Sequence, residues 1–174
     1  MANVVPEKGI NFSVYLEGED LLGVAEGNFP QLEAMTSEVK GAGVAGVVDS
    51  IVLGHFNSTT ISLTWRNVTK DFLKLYEHTT HNLDFYSAMQ YYNAGTGEYE
   101  VIQLHVYMKA ITKSQNPGNL VVGDNMDTQT EHEVVYMKIE RDGKTWVEMD
   151  KYNYKYIVDG TDYLAEVRTA LGKQ

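Results

Sequence analysis

The chain has 174 residues, 43% of them hydrophobic, which suits one domain with a buried core and excludes a disordered chain. It contains no cysteine, which excludes disulfides, thiol nucleophiles and thiolate zinc sites, and no run of the ~20 apolar residues that a transmembrane helix requires. The formal net charge of −10 argues against ordinary nucleic-acid binding, because affinity for a polyanion comes mainly from lysine and arginine.

Strands are predicted through much of the first part of the chain, where apolar and polar residues alternate with period two. Residues 41–57 differ because they contain four glycines, and we expect a long loop there. A helix is predicted to begin at Thr69, a residue type that is common at helix caps. Phe72, Leu75 and Tyr76 then fall on one helical face. The predicted strands of this part are 11–16, 23–29, 31–40 and 60–65, with a break at Pro30.

The second part of the chain predicts two hairpins and a closing helix. Thr161 or Asp162 is the expected cap of that helix, and Gly172 is its expected stop. Together the elements predict a single, mainly β domain of residues 1–174 with a short mid-chain helix and a C-terminal helix. The strands of the two hairpins are 81–92 with 99–110 and 128–140 with 145–158.

Residues 41–46 match the G-x-G-x-x-G pattern that holds the pyrophosphate of a dinucleotide at a helix N-terminus. The context is wrong for that function, because β-branched residues follow and no acidic residue lies between Asp49 and Asp71 to hold a ribose. We therefore expect no nicotinamide cofactor. Because an exposed apolar loop is costly for a monomer, contact with another protein is the favoured function of the segment.

His78, His81 and His132 are the candidate metal ligands. The first two follow the predicted helix, where histidine is typical as an exposed cation, and nothing marks a third ligand beside them. The sequence also lacks a nucleophile elbow, a phosphate-binding loop and an identifiable pair of catalytic carboxylates. We expect neither a metal site nor a cofactor, and no enzymatic activity.

Tyr152, Tyr154 and Tyr156 alternate and are predicted to share one face of a strand. Such a face can stack against sugars or bases, but in a chain this acidic, packing or subunit contact is the favoured interpretation. A soluble β-barrel binding module for a small ligand or glycan is the alternative function.

Two segments, 28–49 and 159–172, resemble the major tail tube proteins of contractile-tailed phages and of related phage-tail-like bacteriocins. The first segment is similar to the family's L-P-x-L stretch and glycine-rich loop, with Phe29 where the family usually has leucine. The second is similar to the family's closing helix, with its G-x-D-x-L and R-x-A-L-G patterns. The order and spacing of the two segments carry the resemblance.

The resemblance implies a β-sandwich or half-barrel subunit of the tail-tube fold that closes into a hexameric ring. Rings are expected to stack into a tube inside a contractile sheath, with the sheath, baseplate and tail terminator proteins as partners. DNA, or ions in a bacteriocin, is expected to cross the lumen without specific binding, and a lumen lined with carboxylates would repel phosphates. The expected location is the virion tail or bacteriocin particle, assembled in the bacterial host cytoplasm, with no membrane insertion.

Within this resemblance we expect the loop at about 41–57 to reach the adjacent ring, because it is long and apolar and orders on contact. We also expect the closing helix to pack through apolar residues at helical spacing. The expected inter-ring contacts are Val44, Val47, Val48, Ile51, Val52 and Leu53, and the expected packing residues of the helix are Leu164, Val167 and Leu171.

Overall fold

The computed structural model describes residues 3–20 and 23–173, and in these ranges it contains twelve strands and two short helices. This architecture confirms the mainly β prediction. The helices are α1 (Lys70–Lys74) and α2 (Ala165–Ala170). The strands are β1 (Val4–Leu16), β2 (Glu19–Asp20), β3 (Val24–Asn28), β4 (Ala34–Val39), β5 (Val48–Phe56), β6 (Thr60–Trp65), β7 (Thr80–Asn93), β8 (Glu98–Asn116), β9 (Thr128–Arg141), β10 (Lys144–Asp150), β11 (Lys155–Val158) and β12 (Thr161–Asp162).

Ten strands form one antiparallel sheet, called the main sheet below, in the order β12-β11-β10-β9-β8-β7-β1-β2. The first half of β9 also pairs with β6, and β6 pairs with β3, so the main sheet branches at β9. Within the described ranges β3 pairs only with β6, and β1 only with β7 and β2, so the sheet is not closed into a barrel. β4 and β5 form a separate two-stranded sheet.

The core lies between the β3–β6 pair on one side and strands β7 and β8 on the other. Ile61, Leu63 and Trp65 of β6 are fully buried and alternate with partly exposed residues, as the period-two pattern predicted. Gly27 of β3 brings the backbone close to this layer, because an added Cβ would lie 3.5 Å from both Leu63 Cδ2 and Phe85 Cε1. The remaining buried apolar residues of the core are Val14, Leu16, Phe72, Leu75, Leu83, Phe85, Val106, Met108, Ala110, Val134, Met137 and Met149.

The mid-chain helix begins where the sequence predicts. The Thr69 hydroxyl accepts a hydrogen bond from the Phe72 backbone N–H at 3.2 Å, which is an N-cap interaction. Phe72 and Leu75 are buried in the core, and the Tyr76 ring packs against Phe72 with its centroid 5.3 Å away. Neither helix of the described ranges is long and apolar enough to cross a membrane.

The prediction of a long loop over residues 41–57 is wrong for 48–56, which form strand β5. Cross-strand pairing with β4, from Thr36 opposite Ile51 to Val39 opposite Val48, makes these residues extended. The glycines at 41, 43 and 46 do lie in the turn before β5, all with positive φ. A strand rather than a helix follows them, and this is not the local structure of a dinucleotide site.

Two predictions near the C-terminus are also wrong. Residues 145–158 are not one strand, because a turn at 151–154 separates β10 from β11, and Tyr154 has a φ of 52° there. Tyr152, Tyr154 and Tyr156 therefore do not form a ladder on one strand face, which removes the basis of the binding-module alternative. The cap of α2 is Leu164 rather than Thr161 or Asp162, which form β12.

Candidate assembly surfaces

A hairpin arm projects from the main sheet, and we define it as residues 34–53, comprising β4, the glycine-containing turn and the first part of β5. Apart from the pairing of β4 with β5, neither strand makes an extensive contact with another element of the described chain. Further contacts lie at the base of the arm, beside residues 33 and 54–57. There, the Asn57 backbone N–H donates to the Glu33 carbonyl at 2.9 Å, and the Phe56 ring lies 4.9 Å from the Tyr156 ring, centroid to centroid. In the part of the chain that the structure describes, these contacts anchor the arm at its base.

All six of the predicted inter-ring contact residues lie in the arm, and all are exposed in the subunit. Val47 is 65% exposed and Ile51 is 59% exposed, and Met35 and Val39 add further exposed apolar surface on β4. An isolated two-stranded hairpin is only marginally stable in water, and a contiguous apolar patch marks an interaction site. The other four predicted contact residues are Val44, Val48, Val52 and Leu53.

The arm also places two carboxylates side by side. Glu38 and Asp49 are directly opposite each other in the β4–β5 pairing, on the same face as Thr36 and Ile51. Like charges in this position destabilise a strand pair. The Lys40 ammonium lies 2.6 Å from the Glu38 carboxylate, but both side chains are well exposed, so solvent weakens this ion pair.

The C-terminal segment is packed against the base of the arm through Leu164. Gly54 has a φ of 63°, and an added Cβ would lie 2.6 Å from Leu164 Cγ, so only glycine fits there. Leu164 is buried, Val167 is half-buried and Leu171 is 55% exposed. The three predicted packing residues thus have different surroundings, and Leu171 points its apolar side chain into solvent.

An ion pair fixes α2 relative to β12. Arg168 Nη2 donates to Asp162 Oδ2 at 2.6 Å, and Arg168 Nη1 donates to the Tyr154 carbonyl at 2.8 Å. The hydrogen bond from Arg168 lowers the pKa of the Asp162 carboxyl below its ordinary value. Asp162 Oδ1 also accepts from the Leu164 backbone N–H at 3.0 Å, which orients the residue that covers Gly54.

The side of the main sheet that faces away from the core, called the polar face below, carries a network of polar contacts centred on His105. Its Nε2 atom lies 2.8 Å from Asp84 Oδ1, and its Nδ1 atom lies 3.2 Å from Glu140 Oε2. The ring is stacked on Tyr86 with a centroid distance of 4.3 Å and an interplanar angle of 3°. Sequence reasoning missed this network because its carboxylates are 21 and 35 residues away from the histidine.

The lysines of the polar face on β8 to β11 are engaged by neighbouring groups. Lys138 Nζ lies 2.6 Å from Glu140 Oε1, and Lys155 Nζ lies 2.9 Å from Glu148 Oε1. Lys109 Nζ lies 5.7 Å from the centroid of the Tyr136 ring. These strands therefore present paired charges rather than a run of free carboxylates.

The three candidate metal ligands are not brought together as a site. His132 of β9 is buried, with Nδ1 3.2 Å from Oγ1 of Thr112 on β8 and Nε2 3.0 Å from Oγ1 of Thr130 on β9. Burial lowers its pKa from 6.5 to about 4, and the nearby His81 acts in the same direction. His81 is buried, with Nε2 3.1 Å from the Glu77 carbonyl, and His78 is exposed. No cluster of three potential metal ligands occurs among the described residues.

Among the described residues, the edge strands of the main sheet and the apolar arm have no covering partner, and such surfaces are typical of a structural subunit that assembles with other chains. The family described as "Phage tail tube protein FII" matches residues 6–172, and the chain belongs to this family. The chain is also similar to the "Major tail tube protein" of Serratia phage KSP20, with 23% identity over 171 residues that cover 97% of each chain. The resemblance to tail tube proteins is confirmed, and the chain is a structural subunit of a virion tail tube.

Proposed function

We propose that six copies of the chain close into a ring, and that the rings stack into the hollow inner tube of a contractile tail through which DNA passes. The observation that carries this proposal is the exposed apolar arm on a sheet with open edges. An unpaired strand edge invites further strand pairing, and cyclic closure removes such edges. Family membership supports tube assembly as the way in which these surfaces are covered.

The main sheet has long neighbouring strands that could form the inner wall of the proposed tube. β1, β7, β8 and β9 are 13, 14, 19 and 14 residues long and pair as neighbours, so each subunit offers four long strands. Six subunits then provide roughly 24 strands, and at about 4.8 Å per strand the barrel is about 40 Å or more across. A DNA duplex fits within this width.

In this assembly the polar face lines the lumen, because the opposite face of the sheet is taken up by the core. The paired lysines Lys138 and Lys155 are held by carboxylates and do not offer free cations to phosphates. Six copies, each with a formal charge of −10, give a ring a charge of −60. Repulsion of the polyanion by this acidic ring lets DNA slide without adhering.

The arm makes the contact between rings in this proposal. The predicted contacts from Val44 to Leu53 are presented on the arm, beyond the part that is anchored to the subunit. Because acidic rings repel one another, stacking is favoured by salt, which screens exposed charges beyond about 10 Å at 0.1 M.

Negative-stain electron microscopy at low and high salt tests this function with three proteins. The wild-type chain is expected to form hollow rings and tubes, with longer tubes at higher salt. The variant Val44→Asp/Val47→Asp is expected to give folded subunits or rings that do not stack. A control, Val121→Asp/Val122→Asp, introduces the same charge in another exposed apolar loop and is expected to form tubes.

Tubes of normal length from the Val44→Asp/Val47→Asp variant would contradict the role of the arm. Small monodisperse wild-type particles at every salt and protein concentration would contradict the ring and tube as a whole. Shortening of wild-type tubes by salt would contradict the electrostatic part of the proposal.

A further inference from the structure

The apolar rows of the main sheet continue past the end of the core. On β7 the buried Phe85 is followed on the same face by Met89 and Tyr91, and on β8 the buried Val106 is preceded by Leu104 and Ile102. These four residues are only half-buried, because β6 and β3 do not extend over this end of the sheet. A groove of about 220 Å³ lies here, and we call it the Arg141 groove. Its lining residues are Met89, Tyr91, Ile102, Gln103, Leu104, Arg141 and Trp146.

The guanidinium of Arg141 is held between two aromatic rings at this groove. Its central carbon lies 4.8 Å from the centroid of the Tyr91 ring and 5.0 Å from that of the Trp146 ring. No carboxylate of the described ranges forms an ion pair with Arg141. A guanidinium that stacks on aromatic rings keeps its in-plane N–H donors in a fixed fork that matches a carboxylate.

One face of the arm has the complementary chemistry. It carries Glu38 and Asp49 next to the exposed apolar side chain of Ile51. Asp49 forms no ion pair within the described residues, and its repulsion with Glu38 is relieved by any cation brought against this face. The arm and the groove are not paired with each other within the subunit, so each is free to contact a second copy.

We propose that the Arg141 groove receives the arm of a second copy of this chain in the adjacent ring, with Arg141 paired to Asp49 and Ile51 packed against Ile102 and Leu104. The proposal rests on the proposed function and deepens it by naming the surface that the arm contacts. The two surfaces differ, so the contact is head-to-tail. Each ring then keeps a free set of arms on one side and a free set of grooves on the other, as open-ended stacking requires.

A charge-swap cycle tests the Arg141–Asp49 pair. The measured quantity is the critical protein concentration for tube formation, obtained by sedimentation, with circular dichroism as a check on folding. Arg141→Glu and Asp49→Arg are each expected to raise this concentration about tenfold or more, equivalent to about 1.4 kcal/mol. The double variant is expected to return within about threefold of wild type. The matched charge reversal Lys113→Glu, on an exposed part of β8, is expected to have a small effect.

Cross-linking tests the placement of the arm without disturbing either charge. The chain has no cysteine, so the only thiols in the variant Thr36→Cys/Gln103→Cys lie on the arm face and at the rim of the groove. A short bismaleimide is expected to join subunits into a covalent ladder in assembled tubes and not in dilute subunits. The control Thr36→Cys/Lys113→Cys is expected to give no ladder.

The outcomes separate this inference from the proposed function. If the double charge variant is no better than the single variants, or tubes of Thr36→Cys/Gln103→Cys give no ladder, the groove is not the docking site, even where Val44→Asp/Val47→Asp still blocks stacking. If that arm variant stacks normally, the proposed function of the arm itself fails.

Discussion

The arm and the β7–β8 hairpin are both antiparallel strand pairs rich in apolar residues, but their apolar side chains differ in exposure to solvent. In the β7–β8 hairpin, Leu83 and Met108 are directly opposite each other in the strand pairing, and both side chains are fully buried. In the arm, the apolar residues of both strands remain in solvent, as Val47 and Ile51 illustrate. The difference lies in the covering layer, because β6 lies over one hairpin and nothing in the described chain lies over the other.

In a protein that polymerises, the burial of an apolar residue within one subunit therefore does not show whether that residue is buried in the assembly. An apolar pair of strands without a cover is a liability in a monomer and an interface in an assembly. We therefore expect mutations in the two hairpins to separate cleanly, with core changes acting on subunit stability and arm changes acting on assembly.

The largest effect on subunit stability is expected for Leu83→Ala in β7. Leu83 is fully buried, so the substitution leaves a cavity that the surrounding strands fill only in part. The free energy of unfolding is expected to fall by about 2–5 kcal/mol, measured by denaturant titration of dilute subunits. A loss below about 1 kcal/mol would show that the core is more loosely packed than the structure indicates.

Acidification is expected to weaken the core through His132. Its pKa is about 4 in the folded chain against 6.5 in the unfolded chain, so the unfolded state binds the proton more tightly. The free energy of unfolding is therefore unaffected by protonation of this histidine above pH 6.5. It falls by about 3 kcal/mol as the pH drops from 6.5 toward 4, because the unfolded chain takes up the proton first. The difference between wild type and His132→Gln in unfolding experiments across this range isolates the histidine from the carboxylates. Identical pH slopes for the two proteins would contradict the buried neutral state.

Gly54→Ala is expected to loosen the junction between the arm and the C-terminal segment. The new methyl group clashes with Leu164, and the backbone has a positive φ, so a loss of about 1–3 kcal/mol is expected in thermal unfolding. The matched control Gly143→Ala has a similar backbone, with a φ of 75°, but meets no neighbouring atom within 4 Å. Equal losses at the two positions would show that only backbone strain, and not contact with Leu164, matters at Gly54.

The smallest effect on subunit stability is expected for Ile51→Ala in the arm. Ile51 is exposed, so the free energy of unfolding of dilute subunits should change by less than about 0.5 kcal/mol. The same variant should nevertheless require a higher protein concentration to form tubes, measured by sedimentation beside wild type. A loss of subunit stability as large as that of Leu83→Ala would mean that the arm is part of the core.

Strong local patterns were enough to predict several elements from the sequence. The alternation at 60–65 predicts both ends of β6, and Thr69 predicts the start of α1. Both signals are local, because strand periodicity and helix capping depend on neighbouring residues. Residues 48–56 were missed as a strand because their extended form depends on pairing with β4 across a glycine-rich turn. The prediction that Tyr152, Tyr154 and Tyr156 share one strand face is wrong because residues 151–154 form a turn.

The surfaces for assembly were only partly accessible to sequence reasoning. The apolar stretch of the arm could be seen because its residues are contiguous in the sequence. The His105 network and the Arg141 groove could not, because each joins side chains from separate strands whose register is set by the whole sheet. Arg141 in particular shows no local signal, since its two aromatic neighbours Tyr91 and Trp146 lie on different strands.

Hydrogen exchange of the arm amides, measured in dilute subunits and in assembled tubes, tests the central claim most directly. In subunits, amides of the arm at 36–39 and 48–51 are expected to exchange fast while those of β7 and β8 are protected, because the arm has no covering layer. In tubes the arm amides are expected to become protected to a degree similar to that of the β7–β8 hairpin. Tubes in which the arm still exchanges as fast as in free subunits would contradict its role as the contact between rings.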